Sequence, residues 1–323
     1  MRKKEDQNAA AEDRRRYIWD AVNANRDKPL AFSTVHEQFG NLSEQTLHND
    51  ARLFRREGKP VSIAAKAFIY DLIYSDTLAA RRRRRPGIKR EIGRLAAKII
   101  VNGNPDEVHS ETTLSESLTR KLDALCRKTH RLVALDAGST SEHVANALNK
   151  YRTPLRHLSS LRILTNSAAV SHIIQSDDLS QHGVVMIGGN LRGDTDATCG
   201  VLAERCFDAM GVSPDIAVIG ASSMGKDYTF SCNHEDEAAI KTRLLDASAI
   251  RVIAIDSSKL LKQTRSASWN IARIDGNIDA VITDEGRRLT QDREDLKANF
   301  DSFVDACITS QVAVFFTSAR GDE

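Results

Sequence analysis

The sequence predicts an α/β protein in two parts, a small three-helix module at the front and a larger, Rossmann-like domain with a mostly parallel sheet behind it. Three observations predict this. At 323 residues the chain is too long for one small module, and two domains of ordinary size are expected. Residues 14–58 carry three short helical periods, whereas from residue 131 onward continuous apolar runs alternate with helical stretches. Charge divides along a similar line: residues 1–100 hold 22 Lys and Arg against 13 Asp and Glu, a balance of +9, and residues 101–323 hold 24 against 31, a balance of −7. A basic front suggests a polyanionic partner, and an acidic rear a different task.

The front module is read from its caps and periods. After a polar tail of about a dozen residues, Arg14–Asn25 sets Ile18, Ala21 and Val22 on one face. Ser33 is expected to cap Thr34–Phe39, where Val35 and Phe39 recur at i, i+4, and Gly40 to close that helix. Ser43 caps a third segment in which Leu47, Ala51 and Phe54 recur at i, i+4 and i+7, and Gly58 ends it. Three short helices with a tight turn between the second and third outline a helix-turn-helix. With Leu47, Ala51 and Phe54 inward, Gln45, His48, Asn49 and Arg52 face out. Gln and Asn can pair bidentately with adenine, while Arg52, Arg55 and Arg56 can hold phosphates, so this face is a candidate reader of double-stranded DNA. The plainer reading is a solvated helix face without base contacts.

A joining region follows. Pro60-Val-Ser-Ile63 can form a short strand, Phe68–Tyr74 is apolar without clear period, and Arg81–Arg85 is a run of five arginines before Pro86-Gly87. Most of the positive excess sits here, because residues 1–60 hold only 12 basic against 10 acidic residues. Such a run can supply phosphate contacts or be a solvated linker. Ile88–Ile100 is an amphipathic helix with Ile92, Leu95, Ala96 and Ile99 on one face. A polar stretch, Asn102–Thr113, precedes a further helical pattern with Leu118, Leu122 and Leu125.

The rear grammar is strand and helix in turn. Strands are expected at Leu132–Leu135, Leu161–Leu164, Val184–Ile187, Ile216–Ile219, Val252–Ile255, Val281–Thr283 and Val312–Phe316. Helices are expected at Glu142–Leu148, Ala168–Gln175, Val201–Met210 and Glu235–Ala247. Continuous apolar strands separated by helices indicate a largely parallel sheet covered on both faces.

Three strands end in short polar turns: Asp136-Ala-Gly-Ser-Thr-Ser141, Thr165-Asn-Ser167 and Gly188-Gly-Asn190. In an open α/β sheet, ligands sit outside the carboxyl ends of the strands, where these turns gather. Gly138 lets the backbone approach closely, Ser139, Thr140 and Ser141 offer hydroxyls, and the following helix turns free N–H groups toward an anion such as phosphate. The same run also suffices as a plain turn and helix cap. Lys259, in Asp256-Ser-Ser-Lys259 directly after a strand, and Lys241, early in a helix behind Glu235 and Glu237, can neutralise a phosphate as point charges. Asp136, Asp256 and Asp284 recur after strands and can order sugar hydroxyls or cap the next segment.

The ordered set Leu135-Asp-Ala-Gly-Ser-Thr140, Leu164-Thr-Asn-Ser167, Ile187-Gly-Gly-Asn190, Gly200, Asp215…Gly220-Ala221, Glu235…Lys241, Asp256-Ser-Ser-Lys259 and Ile282-Thr-Asp284 resembles the sensor domain of DeoR-type bacterial transcription regulators over roughly residues 88–285. The resemblance implies a fold like that of ribose-5-phosphate isomerases and CoA transferases, and a phosphorylated sugar or related metabolite as effector. By motif it carries the ligand site to Gly138, Ser139, Thr140, Asn166, Gly189, Lys241 and Lys259, with Asp136, Glu235 and Asp256 beside them. It further implies a winged helix-turn-helix at 1–66, leaving 67–87 as a basic linker and 88–323 as the ligand-sensing domain. The family's recognition helix reads S-x-x-T-I-R-R-D-L; here Ser43, Thr46 and Asp50 match, and His48 and Asn49 replace the arginine pair. Two fewer arginines weaken the salt-dependent phosphate contribution. Ser62-Ile-Ala-Ala-Lys66 stands where the family has R-x-H-G-G-A. One residue is added at Asn41, and Asn102–Arg131 is well over twenty residues longer than the family leads one to expect.

The expected function is a DNA-binding repressor of a carbohydrate or metabolite pathway, acting as a homodimer or homotetramer on a double-stranded operator. One competing reading is an enzyme of the isomerase or CoA-transferase kind, with Glu235, Glu237 and Asp215 as conceivable bases. However, the isomerase-like D-G-A-D-E run is absent, and Gly220-Ala-Ser-Ser stands at the corresponding strand end. Another reading is a metabolite sensor that has lost DNA binding. No catalytic residue, metal or cofactor is expected. The five cysteines (Cys126, Cys199, Cys206, Cys232, Cys307) lack a C-x-x-C pair and read as reduced thiols. No apolar run approaches the ~18 residues of a membrane span, and the start Met1-Arg-Lys-Lys-Glu-Asp has no apolar h-region. A cytoplasmic chain is therefore expected.

Overall fold

Helices and strands form largely where caps and apolar periods place them. The computed structural model describes residues 2–25, 28–57, 59, 61–64, 66–70, 77–103, 114–151, 158–176, 182–260, 269–286 and 294–317. The chain folds as two units, Met1–Arg84 and Arg85–Glu323. The polar stretch 104–113 and Gly58 lie outside the described residues.

The front unit opens with α1 (Arg2–Ala24), which takes the expected polar tail into the helix. Then come β1 (Leu30–Ala31), α2 (Phe32–Phe39), α3 (Glu44–Arg56), and the strands β2 (Val61–Ala64) and β3 (Ala67–Tyr70). Ser43 caps α3 as expected, its Oγ accepting from the Thr46 N–H at 3.1 Å. Ser33 does not cap α2. Ala31 occupies that position without a side-chain cap, because β1 pairs with β3 and the Phe32 N–H donates to the Lys66 carbonyl at 2.9 Å. Sheet pairing, rather than a hydroxyl, fixes where this helix begins. Gly40 ends α2 at φ 80°, as expected of a glycine stop.

Beta pairing in the order β1-β3-β2 makes a wing out of the segment that lacks the family's glycines. Lys66 takes the left-handed turn position at φ 57°. Ile18, Val22, Val35, Leu47, Phe54, Val61 and Phe68 form the core of the unit, each fully buried apolar side chain contributing about 1.5–3 kcal/mol. Within residues 67–87, expected as a linker, lie β3 and the short helix α4 (Leu78–Arg83), capped by the Thr77 side chain.

In the rear unit, all seven expected strands lie in one parallel sheet: β4 (His130–Leu135), β5 (Ser160–Thr165), β6 (Gly183–Met186), β9 (Ile216–Ile219), β12 (Ile250–Ala254), β14 (Ala280–Thr283) and β15 (Ala313–Phe316). Their order is β15-β14-β12-β9-β4-β5-β6. The strands following β4 run outward on one side; the chain then returns to place β9 on its other flank, so the topological switch lies between β4 and β9. Helices α5 (Pro86–Asn102), α6 (Glu116–Cys126), α7 (Ser139–Leu148) and α8 (Ala168–Gln175) cover one face. Helices α9 (Val201–Met210), α10 (Glu235–Asp246) and α12 (Glu294–Thr309) cover the other, and α11 (Ser257–Leu260) is a single turn after β12.

Alternate strand residues divide between these layers, as a sheet buried on both faces requires: Val133 and Leu135 face one core, Ala134 the other. Shorter polar strands escaped the sequence reading. They form the ribbon β7 (Asn190–Arg192) with β8 (Ala197–Cys199), and a second sheet of β10 (Ser223–Met224), β11 (Thr229–Cys232) and β13 (Trp269–Arg273). Helices α5 and α7 cross closely at Gly93, where an added Cβ would fall 2.5 Å from the His143 carbonyl carbon. Gly93→Ala is therefore expected to destabilise the protein by about 1–3 kcal/mol, read as a lower urea midpoint at unchanged slope.

Candidate functional site

The switch point gathers the polar turns of three strands. Asp136, directly after β4, is fully buried. Its Oδ1 accepts from the Gly220 N–H at 3.1 Å, after β9, and from the Ser141 hydroxyl. Its Oδ2 accepts from Lys241 Nζ, which also donates to the Gly220 carbonyl at 3.1 Å. Burial opposes the charge of Lys241, but the adjacent Asp136 carboxylate holds its pKa above the ordinary lysine range. Lys259, after β12, donates to the next carbonyl, Ala221, at 3.0 Å. Two ammonium groups thus rest on consecutive carbonyls of one turn.

Helix α7 begins at this point. Ser139, Thr140 and Ser141 are buried in its first turn, whose N–H groups have no intrahelical partner. Gly138 precedes it at φ 178°, extended backbone open to any residue, and a Cβ there would meet only Asp136 Oδ2 at 3.7 Å. Neither backbone strain nor protein packing demands this glycine; its effect is to leave the space before the helix clear. A helix N-terminus left clear in this way is able to receive an anion.

Other expected residues take different places. Asn166 is buried and braces the turns: its Oδ1 accepts from the Ala137 N–H at 3.1 Å, and its Nδ2 donates to the Thr198 carbonyl at 2.9 Å. Gly189, at φ 146°, brings its turn onto α9, since a Cβ would lie 2.6 Å from that of Ala203. Glu235 is exposed, and Glu237 points inward instead, only 3% exposed. Asp215 lies at the amino ends of the strands, accepting from the Leu132 N–H at 2.8 Å and pairing with Lys128. It is thus at the far edge of the sheet from the first turn of α7 and cannot act as a base there.

Asp256 and Asp284 belong to a neighbouring network that the sequence reading missed. Arg85, the last of the arginine run, donates to Asp284 Oδ2 at 2.9 Å and Ser257 Oγ at 3.0 Å, and reaches Asp256 Oδ1 at 3.3 Å. Asp284 also receives the Ser257 N–H at 2.8 Å, so it caps α11. These contacts hold Arg85 at φ 47°, a conformation that costs of order 1–3 kcal/mol and persists only where the surroundings fix it. Burial would raise the pKa of Asp256, but Lys259, Lys89, the Ser258 hydroxyl and Arg85 together hold it at about 2. Lys89 is itself buried on the inner face of α5, in phase with Ile92 and Ala96. That phase was the available signal, and a lysine on an apolar stripe is easily passed over.

In the front unit, Gln45, His48, Asn49, Arg52 and Arg56 are exposed along α3, and the side chain of Arg55 lies outside the described residues. Gln45 Nε2 donates to Asn49 Oδ1 at 3.0 Å, and the His48 ring meets Phe32 edge-on at 6.3 Å. Thr46 is half-buried, with its hydroxyl 2.8 Å from that of Ser43. The shared motif residue Asp50 faces the core, taking Nε and NH2 of Arg14 at 2.7 and 3.1 Å. It therefore locks α3 to α1 rather than touching solvent.

The chain joins a winged helix to an α/β domain built on a parallel sheet. Residues 116–285 match the DeoR C terminal sensor domain, more than half of the chain, and the chain belongs to that family. The HTH-type transcriptional regulator GlpR of Haloferax volcanii is 28% identical over 175 residues, 54% of this chain and 62% of that protein, so the match spans less than two thirds of its length. Among solved structures, ribose 5-phosphate isomerase A of Methanocaldococcus jannaschii matches at 15% identity and TM-score 0.32, over 54% of each chain. Ribose 5-phosphate isomerase A of Neisseria gonorrhoeae matches at 15% identity and TM-score 0.29, over 53% of each. Among the described residues, no helix is long and apolar enough to cross a membrane.

Two outcomes follow from the electrostatics. Lys241→Met leaves Asp136 buried without its cation and is expected to cost about 3–5 kcal/mol in chemical denaturation. His143, in α7, is held at about 4 by burial and by Lys89 and Arg90. Because this lies below the ordinary 6.5, the unfolded chain binds that proton first. Stability is thus expected to fall, by on the order of 1–3 kcal/mol, as pH drops from above 6.5 through 4. His143→Phe should flatten that part of the stability profile.

Proposed function

We propose that this protein is a DNA-binding transcription regulator, a repressor of carbohydrate or metabolite utilisation, whose effector is a phosphorylated sugar or related metabolite. The observation that carries this reading is one chain joining a winged helix to a sensor domain of the DeoR family. The name of the Haloferax volcanii relative, a transcriptional regulator, supports it. On the DNA side, Ser43, Gln45, Thr46, His48, Asn49, Arg52, Arg55 and Arg56 line or flank the face of α3 offered to the major groove. Gln45 and Asn49 serve as base readers, and Arg52, Arg55 and Arg56 as phosphate contacts. A homodimer or homotetramer presents two such helices to two half-sites of an operator.

On the effector side, the phosphate sits before α7, held by Gly138, Ser139 and Thr140, with Lys241 and Lys259 supplying charge. Asp136, Asn166, Gly189 and Asp256 hold that constellation in shape. The effector shifts DNA affinity only by binding one arrangement of the protein better than another. Of the three conceivable isomerase bases, Asp215 lies at the far edge of the sheet and Glu235 is exposed, which leaves only the buried Glu237. A cytoplasmic location follows from a role at DNA.

The test is fluorescence anisotropy with DNA from upstream of the gene, titrated at several salt concentrations. Binding that weakens linearly with the logarithm of salt concentration is expected, with a shallower slope in Arg52→Ala. Folded protein that ignores this DNA at every salt concentration overturns the regulator reading. Lys259→Ala and Ser139→Ala should each weaken a phosphorylated effector about tenfold or more while apo DNA affinity stays unchanged. Unaltered effector affinity in both variants refutes the assigned cradle.

A further inference from the structure

We propose that the amino-terminal corner of the parallel sheet, where β4, β5 and β6 begin, carries a second ligand site, for a small carboxylate with an apolar body. A cleft of about 420 Å³ opens there, floored by Leu132, Val185 and Val212 and edged by His130, Ser160 and Arg162. Its size is that of a small-molecule site, and so is its make-up, apolar walls with a few polar groups. It lies at the opposite edge of the sheet from Asp136, Lys241 and Lys259, so neither site depends on the other.

Strand register builds the cleft. His130 pairs with Ser160, Leu132 with Arg162, and Arg162 with Gly183, so these residues share the face that α9 covers further along. The helix ends at Gly211, and Val212 follows at the edge of the corner. Leu132, Val185 and Val212 pack against the core of this face yet stay only half-buried. Gly183 stands where a strand ordinarily carries a side chain beside Arg162. Its backbone is not left-handed, and an added Cβ would meet only Arg162 Cγ, at an ordinary 3.5 Å. Neither conformation nor packing asks for a glycine here, and a glycine in a strand can mark the close approach of a ligand.

The charges choose the ligand. Asp215, the acid of the lining, is already satisfied: one oxygen accepts from the Leu132 N–H at 2.8 Å and the other pairs with Lys128. Arg131 turns to the other face, donating to the Val101 carbonyl at 2.6 Å and the Cys126 carbonyl at 3.3 Å. His130 Nδ1 and the Ser160 hydroxyl lie 2.6 Å apart and hold each other. Arg162 is exposed and forms no hydrogen bond or ion pair with a described residue. An unengaged guanidinium beside an apolar floor selects an anion whose remaining bulk is apolar, and its planar fork matches a carboxylate. A phosphorylated sugar fits badly, because its hydroxyls would face Leu132, Val185 and Val212 without partners.

The experiment is NMR titration of the full chain, methyl-labelled at Leu and Val, with benzoate, phenylacetate and hexanoate, each beside its matching alcohol, and with inorganic phosphate. At least one carboxylate is expected to shift the Leu132, Val185 and Val212 methyls with a Kd of about 1 mM or tighter. It should bind about tenfold or more tightly than its alcohol. Arg162→Gln should erase that preference and leave alcohol affinity within about twofold. Gly183→Leu, which fills the cleft, should weaken carboxylate and alcohol alike by about tenfold or more. Arg162→Gln, at an exposed position, carries the test should Gly183→Leu fold poorly. A carboxylate that binds no better than its alcohol overturns the proposal, as does one whose affinity survives Arg162→Gln. Phosphate that moves these methyls at lower concentration than every carboxylate makes the corner an anion site of another class and overturns it too. No shift at these methyls with any probe refutes the cleft as a site, and each of these results leaves the proposed effector site and DNA reading untouched.

Discussion

A lysine ammonium taken out of water must find an anion, and Lys241 finds Asp136. That requirement organises the sensor unit. The carboxylate is delivered by the end of β4 and the ammonium by α10, while Gly220, at the end of β9, contributes both an N–H to one and a carbonyl to the other. None of these groups can move alone without stranding a buried charge. The pair consequently fixes the switch-point strands, α7 and α10 relative to one another, and the first turn of α7 takes its position from them.

The front unit meets its own requirement in the same way. Asp50 belongs to the helix expected to read DNA, yet it is buried and clamped by two nitrogens of Arg14. The outward residues of α3 are thereby presented at a rotation set by a hydrogen-bonded ion pair as well as by Leu47, Ala51 and Phe54. Charged residues that look like contact groups in a motif can instead be the fasteners that orient the contact groups.

Much of the fold was legible because its signals are local. Seven apolar runs became seven parallel strands, and Ser43 and Gly40 marked helix ends with their ordinary chemistry. Ser33 misled because the start of α2 is set by pairing with β3, more than thirty residues away, which no local cap reveals. The short ribbon and the second sheet were missed since their strands, such as Asn190–Arg192, are too short and polar to show a period. Topology brings the strand-end residues Asp136, Asn166, Gly220 and Asp256 to one edge of the sheet. Glu237 was ranked behind Glu235 because two glutamates two residues apart face about 160° from one another on a helix, and sequence alone does not say which side is inward. Arg85 was hidden in its run of arginines, where only its contact partners, far away in sequence, single it out.

The strand order has a kinetic consequence. The contact of residue 136 with residue 241 joins the end of β4 to a helix on the opposite face across more than one hundred residues, the kind of non-local pairing that slows folding. Chains in which it has not formed lack the arrangement before α7 that is proposed to hold the effector. An effector with affinity only for the closed sheet draws newly made protein toward the finished state by mass action. A ligand of that kind then also sets how much competent protein there is.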